Sequence, residues 1–205
     1  MPEESFSREQ LDLLRELGTV GSGRAATSLA ELLRVRVEIT VPKAELIPLE
    51  KIGKILEGEG IDNTFFVLEN QLEGEVAGTI FLLFSPADAR LIASLLLGEK
   101  PEKINIEDDL FISALKECAN ILVGSYVIAL TEMTDLRAMS TVPNIAVDML
   151  GAVIDFMFVK IADDCEEALF INTSLKIKDQ DMAGVFLFFP DRESLKKIFA
   201  TFGGI

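Results

Sequence analysis

The residues best suited to chemistry are a carboxylate and a carboxamide three positions apart, Glu117 and Asn120. They fall inside the apolar run from Leu110 to Leu130, which has the composition of a mostly buried helix. Helix positions three and four apart share a face, which predicts one stripe of polar or small side chains formed by Ser113, Glu117, Asn120 and Gly124. The stripe is either the solvent-facing side of the helix or a hydrogen-bonded network inside the protein. The other faces, Leu110 included, are apolar.

A second, altered version of this pattern occurs near the start of the chain. Glu16 and Thr19 precede Glu117 and Asn120 by 101 positions. The same offset relates Gly23 to Gly124, and Thr40-Val41-Pro42 to Thr141-Val142-Pro143. We interpret the chain as an internal duplication within a single domain over residues 1–205, with repeat halves at about 7–100 and 106–205.

The overall composition excludes several classes of function. Of the 205 residues, 49% are hydrophobic, which is enough for the core of one sizeable domain. The net charge of −15 repels phosphate backbones and anionic lipids, so we do not expect a nucleic-acid partner. The chain has no histidine, which excludes Ser-His-Asp and Cys-His mechanisms and zinc sites built on imidazole. No P-loop, dinucleotide-binding or EF-hand motif is present.

The cysteines and the chain start point to a reducing compartment. Cys118 and Cys165 lie far apart and lack the spacing of metal ligands, so we expect neither a disulfide nor a metal site. The N-terminus is acidic and carries no signal-peptide core, and no run of 18 uninterrupted apolar residues exists. We therefore expect a cytoplasmic protein without a membrane span.

Hydrophobic periodicity predicts the elements of the first half. Leucines at helical spacing predict a helix from about Arg8 to Leu33 with Ser7 as its N-cap. Alternation predicts a strand from Val35 to Val41 that Pro42 stops. The next segments are a possible short helix at Ile52–Leu56, strands at Thr64–Leu68 and Val76–Phe84, and a helix from Ser85 to about Leu97.

Three glycines interrupt the first predicted helix: Gly18, Gly21 and Gly23. Each weakens the helix by up to about 1 kcal/mol relative to alanine. In a helix that still forms, glycines often allow another backbone to approach closely. We favour internal packing over a partner as the reason for them.

The second half repeats the order of the first. A helix capped by Asp108 or Asp109 carries Glu117 and Asn120. It is followed by a strand at Arg137–Val142 that Pro143 stops, a possible short helix at Ile145–Val153, strands at Val153–Ile161, Ala168–Ile177 and Val185–Phe189, and a last helix after Pro190.

Together the two halves predict an α+β fold. We expect an internally duplicated single domain, pseudo-two-fold symmetric, in which one antiparallel sheet of about six strands packs with long helices. We assign the phenylalanines of the predicted strands to the core: Phe81, Phe84, Phe186, Phe188 and Phe189.

The two motifs carry a family resemblance. Glu-x-x-Asn, followed by proline 23 residues after the asparagine, occurs as Glu117, Asn120 and Pro143, and the first copy keeps the spacing with Glu16, Thr19 and Pro42. The pattern resembles the CheC-type phosphatases of bacterial chemotaxis, the CheC/CheX/FliY family, over essentially the whole chain. The family's first helix usually carries asparagine where Thr19 stands.

The resemblance implies dephosphorylation of the phospho-aspartyl form of a CheY-like response regulator. Asn120 would position the attacking water, and Glu117 would orient the receiver domain by pairing with one of its lysines. The receiver would supply Mg²⁺, so no cofactor of the chain's own is implied. Thr19 has one hydroxyl on a shorter side chain, so we expect the Glu16–Thr19 site to be degenerate.

The resemblance also implies a second partner, the receptor deamidase CheD, bound through the region after the second proline. In this sequence that region is Pro143–Val153, with Asp148 and Met149 as contact residues. The alternative is that Val147, Met149 and Val153 are core and that Asp148 is a solvated helix residue. For the whole protein we favour a free-standing enzyme. The alternatives are a non-enzymatic adaptor for CheD or a receiver, and an unrelated structural domain.

Overall fold

Each half of the chain begins with a helix of 26 residues, followed by antiparallel strands and shorter helices. The computed structural model describes residues 8–48, 51–54, 64–161, 167–177 and 180–201. The first half contains α1 (Arg8–Leu33), β1 (Val37–Pro48), α2 (51–54), β2 (Thr64–Gly74), β3 (Gly78–Phe84) and α3 (Pro86–Leu97). After a 3-10 turn at Pro101–Lys103, the second half contains α4 (Asp109–Thr134), β4 (Ala138–Ser140), β5 (Asn144–Met149), α5 (Leu150–Ile161), β6 (Glu167–Ile177), β7 (Gln180–Pro190) and α6 (Arg192–Ala200).

One antiparallel sheet of seven strands joins the two halves. Its order is β1-β6-β7-β3-β2-β4, and β5 also pairs with β2. Strands β4 and β5 run one after the other along the same side of β2, so the sheet has six positions across. The predicted α+β fold with an antiparallel sheet of about six strands is confirmed.

Apolar side chains cover both faces of the sheet, as the strand alternation requires. On one face, β2, β3 and β7 send Phe66, Leu82 and Phe188 into a core shared with α1, α3, α4 and α6. On the other face, Phe81 and Phe189 pack with Ile52 of α2 and with α5. All five phenylalanines assigned to the core are buried.

The bounds of the elements repeat at the offset found in the sequence. Adding 101 to the limits of α1 gives those of α4, and adding it to β1 gives the span from the start of β4 to the end of β5. Both spans contain a register shift at the Thr-Val-Pro motif, between Thr40 and Lys43 and again between β4 and β5. A duplicated chain would give these correspondences, and the duplication remains our interpretation.

The sequence-based assignment of residues 145–161 was wrong in both of its parts. The expected short helix at Ile145–Val153 is mainly strand β5, which pairs along β2 from Thr64 to Glu69. The expected strand at Val153–Ile161 is the helix α5. Its β-branched and aromatic content suggested a strand, but the residues it buries recur every three or four positions: Leu150, Val153, Met157 and Ile161.

Three strand limits also differ from expectation by five residues or more, and one of them is the start of β7, which lies at Gln180 and not at Val185. Strand β1 does not stop at Pro42 but runs on to Pro48. A proline can be accommodated there because β1 is an edge strand and its register shifts beside Pro42. Strand β2 continues to Gly74, well past Leu68. The N-cap assigned to Ser7 lies outside the described residues.

Helix α4 is the one described helix that has the length and apolar composition of a membrane span. In its most apolar window of 18 residues, 56% of the positions are buried inside the protein. Core helices of globular proteins commonly have this composition when they pack on several sides, and α4 packs between α1, α3 and the sheet.

Candidate functional site

The Glu117–Asn120 motif lies at the centre of α4, a helix with well-defined ends. The Asp108 side chain caps its start by accepting a hydrogen bond of 3.0 Å from the Leu110 backbone N–H. Asp135 ends it in the left-handed conformation, with φ 58°. Between these caps the helix buries one broad face, which includes Phe111, Cys118 and Leu122.

Glu117 and Asn120 are both exposed to solvent. Within the part of the chain that the structure describes, neither side chain makes a hydrogen bond or an ion pair. Ser113 is also exposed, and Gly124 is partly exposed. These four residues, the α4 stripe, are therefore the solvent-facing side of the helix and not an interior network.

The first copy occupies the same position on α1. Asp12, Glu16, Thr19 and Gly23, the α1 stripe, are all exposed. The Thr19 hydroxyl donates a hydrogen bond of 2.9 Å to the Arg15 carbonyl, one turn back along its own helix. Its proton is therefore already engaged, and only the oxygen lone pairs face outward.

Helices α1 and α4 pack directly against each other. A Cβ added to Gly21 would lie 2.8 Å from Tyr126 Cε1, so this glycine is needed for the helices to approach. Arg24 of α1 forms an ion pair with Glu132 of α4 across the same contact. Our expectation of internal packing is correct for Gly21. It does not account for Gly23 or Gly124, where a Cβ would meet nothing within 4 Å.

Two apolar residues of α4 lie outside the buried part of the helix. The composition predicted a mostly buried helix with the stripe as its solvent-facing side, yet Leu110 is 61% exposed and Ile128 is 49% exposed. They are 18 residues apart, which is five helical turns, so both project on one side of α4 beside Glu117. The 18-residue spacing was the signal from which the exposure of both residues could have been predicted. It was not used because an apolar residue beside a polar stripe is more often buried than exposed.

Cys118, next to Glu117 in sequence, faces the core. Burial, and then the charge of the Glu117 carboxylate, raise the pKa of its thiol from 9.0 to about 12. The thiol is thus protonated at neutral pH and is not a nucleophile. Cys165 lies outside the described residues.

Asp148 and Met149 lie at the end of the edge strand β5 and are not part of the α4 stripe. Both are exposed, and the Asp148 carboxylate accepts a hydrogen bond of 2.8 Å from the Met149 N–H. Val147 beside them is also exposed. The alternative that places Met149 and Val147 in the core is therefore wrong, whereas Val153 is buried as that alternative expected.

The α4 stripe is the exposed face of a helix. It lines neither the apolar void under Tyr126 and Leu130 nor the open groove beside Ala30 and Arg36. Residues 8–48, 51–54, 64–161, 167–177 and 180–201 contain no cluster of three acidic, cysteine or histidine side chains able to hold a metal. The stripe can therefore act on a group that another molecule presents, but it cannot enclose a small molecule.

Comparison with known proteins identifies the family. The chain is 31% identical over 202 residues to the CheY-P phosphatase CheC of Bacillus subtilis, covering 97% of this chain and 96% of that one. The chain belongs to the CheC family. Two family models agree: the CheC-like family matches residues 9–46, and the chemotaxis phosphatase CheX matches residues 70–153.

Other members of this group are more distant from the CheC-family chain. It is 25% identical over 193 residues to the flagellar motor switch phosphatase FliY of Bacillus subtilis, of which it spans 49%. The solved structure of Thermotoga maritima FliY superposes with a TM-score of 0.79 at 20% identity, covering 97% of this chain and 98% of that one. CheX in the CheX–CheY–BeF3–Mg²⁺ complex of Borrelia burgdorferi gives 0.52 at 21% identity, covering 84% and 96%. These two likenesses show a shared fold.

Proposed function

We propose that this CheC-family protein accelerates hydrolysis of the aspartyl phosphate on a CheY-like receiver domain. The observation that carries the proposal is the pair of unpartnered side chains, Glu117 and Asn120, on an exposed helix face. Small-molecule sites are concave, so an exposed helix face that lines neither described cavity suits a substrate that brings its own cleft. A receiver domain that carries its phosphoryl group in such a cleft meets this requirement. A curated relative is a CheY-P phosphatase, and a structural neighbour is a CheX–CheY complex.

Asn120 would position the attacking water. Its carboxamide can accept a hydrogen bond from the water and donate one to a phosphoryl oxygen at the same time. The water oxygen then bonds to phosphorus as the bond to the aspartate oxygen breaks, leaving a carboxylate on the receiver and inorganic phosphate. An aspartyl phosphate is already activated, so no nucleophile from this chain is required.

Glu117 would hold the receiver in register through an ion pair with a receiver lysine. The receiver would contribute Mg²⁺, and the protein would need no cofactor of its own. A hundredfold acceleration requires about 2.7 kcal/mol of transition-state stabilisation, which one placed amide and one orienting ion pair can supply. Such a reaction belongs in the cytoplasm, where response regulators are phosphorylated.

Residues Glu16 and Thr19 would form the weaker site. The Thr19 hydroxyl is shorter than a carboxamide, and it donates its proton to the Arg15 carbonyl. It cannot accept from a water and donate to a phosphoryl oxygen together. Turnover therefore depends on the α4 stripe.

Decay of a phosphorylated CheY-like receiver, with and without the protein, tests this assignment. We expect Asn120→Ala to abolish the acceleration and Thr19→Ala to leave it unchanged. The two variants are matched controls because both positions are exposed on corresponding helices. Full activity in Asn120→Ala together with loss in Thr19→Ala would reverse the roles of the two sites.

A second candidate function is binding of the CheD deamidase, with or without phosphatase activity. The exposure of Asp148, Met149 and Val147 at a sheet edge favours it. We expect Asp148→Lys to weaken capture of CheD in a pull-down and to leave phosphatase activity intact. Undiminished capture would remove Asp148 from the contact.

A further inference from the structure

Two exposed apolar side chains frame the α4 stripe. Leu110 lies about two turns before Glu117, and Ile128 lies about two turns after Asn120. Leu110 is 61% exposed and Ile128 is 49% exposed. At 100° per residue, Leu110, Glu117, Asn120 and Ile128 fall within an arc of about 80° on one side of the helix.

This placement differs from that of the other exposed apolar residues. Met139, Val142, Val147 and Met149 lie along the β4–β5 edge, and Phe156 and Val159 lie on α5, which covers the opposite face of the sheet. Leu32, 37% exposed, lies in the last turn of α1, about 160° around that helix from Glu16. Single exposed apolar residues need no explanation. A pair on the same side of one helix, with the candidate chemistry between them, forms a continuous contact surface about 27 Å long.

The matching helix lacks this arrangement. The residue 101 positions before Ile128 is Thr27, whose hydroxyl donates a hydrogen bond of 3.1 Å to the Gly23 carbonyl. The residue at the same offset from Leu110 is Glu9. The two stripes therefore differ in the residues that flank them as well as in the exchange of asparagine for threonine.

We propose that Leu110 and Ile128 are docking residues that direct the receiver to the α4 stripe in preference to the α1 stripe. The inference rests on the proposed function. The occupant is a folded receiver domain that presents apolar side chains on both sides of its phosphorylated aspartate. Gly124, which has open space around its Cα, lets the receiver backbone approach between Asn120 and Ile128. Leu110 and Ile128 set affinity, and Asn120 sets the rate of the bound complex.

The test measures KM and kcat with a CheY-like receiver phosphorylated by acetyl phosphate. Because each side chain already has part of its surface buried, we expect Leu110→Gln and Ile128→Thr each to raise KM about fivefold and to leave kcat unchanged. The double variant should raise KM about 25-fold, since the sites are too far apart to interact. Val159→Thr, an 83% exposed position on α5, is the matched control and should change neither constant. An unchanged KM in the double variant, or an equal rise in the control, overturns the proposal.

A direct binding titration separates this inference from the proposed function. If Asn120→Ala eliminates turnover while Leu110→Gln and Ile128→Thr leave both binding and KM unchanged, the phosphatase assignment stands and the docking residues are wrong. If no form hydrolyses the phosphate but the two variants weaken receiver binding about fivefold each, the docking residues stand and the phosphatase assignment fails.

Transfer to α1 gives a gain-of-function test. In the Asn120→Ala protein, Thr19→Asn combined with Thr27→Ile should restore more acceleration than Thr19→Asn alone. If the single and the combined substitution restore the acceleration equally, the apolar residue that flanks the stripe does not direct the receiver, and the proposal is overturned.

Discussion

At the scale of single residues, the two copies of the motif differ by one functional group: the second has the carboxamide of Asn120 where the first has the hydroxyl of Thr19. Sequence spacing was sufficient to put Glu117 and Asn120 on one face of a helix, because helical geometry alone determines that. It could not decide between an interior network and a solvent-facing stripe. That choice depends on what packs against α4, which is set by residues distant in sequence. For the same reason the exposure of Leu110 and Ile128 could not be predicted.

Cys118 provides a prediction at this scale. At pH 8 a thiol with a pKa of 9.0 is about one-tenth thiolate, whereas a pKa of about 12 leaves about one part in ten thousand. In a Cys165→Ser variant, we expect Ellman's reagent at pH 8 to react at least about 1000-fold more slowly with the native protein than with the urea-unfolded chain. Rapid reaction of the native protein would show that the helix face beneath Glu117 opens readily.

At the scale of elements, the glycines of α1 have different roles, and one pair of substitutions separates them. Gly23→Ala should stabilise the protein by about 0.5–1 kcal/mol, because it raises helix propensity and the new methyl group meets open space. Gly21→Ala should destabilise it by about 1–3 kcal/mol. The methyl group would press on the Tyr126 ring, which is itself packed 4.3 Å from the Phe186 ring centroid. Urea denaturation measures both, and equal effects would contradict the packing described for α1 and α4.

In addition to its apolar packing, helix α5 is joined to strand β2 of the sheet by an ion pair with a buried carboxylate. Lys160 Nζ lies 3.3 Å from Glu69 Oε1, and the Glu69 side chain is only 5% exposed. We expect Lys160→Met to cost about 1–2 kcal/mol, because it leaves a buried carboxylate without its cation; the partial exposure of Lys160 keeps the loss below that of a fully buried pair. Adding Glu69→Gln should recover most of the loss in a double-mutant cycle. If the second substitution instead adds to the damage, the pair does not act as a unit.

The β5–α5 region shows where local sequence is insufficient. Residues 145–161 are apolar almost throughout, so neither period stands out, and β-branched residues favour a strand wherever nothing else decides. The pairing of β5 with β2, across about 80 residues of sequence, makes Asn144–Met149 the strand. Once β5 occupies that edge, the next residues can bury Val153 and Met157 only as a helix on the sheet.

At the scale of the whole molecule, the sheet interlocks the two predicted halves. The first-half strand β1 pairs with β6, β3 pairs with β7, and β2 pairs with β4 and β5. Outside residues 145–161, the order of elements was predictable because each half has its own turn and capping signals. The pairing between halves was not, since strand partners are chosen by tertiary packing.

This interlocking predicts how the chain unfolds. We expect the full protein to unfold in urea in one transition, with circular dichroism and fluorescence of a reporter dye superimposing. Fragments 1–104 and 105–205 should each remain unfolded alone, because each would expose strands whose partners lie in the other fragment. A cooperative transition in either fragment would show that the halves are independent domains.

The pairing of β1 with β6 also determines how long β1 stays unpaired while the chain is being synthesised. Residues of β1 wait for partners that follow them in the chain by about 120–140 positions. At translation rates of about 5–20 residues per second, β1 leaves the ribosome roughly 6–28 s before β6 exists. During that interval the nascent chain carries an unpaired strand next to α1, whose core-facing leucines lack part of the core that buries them in the finished protein. We therefore expect newly made protein to need chaperone shielding until the last quarter of the chain has emerged.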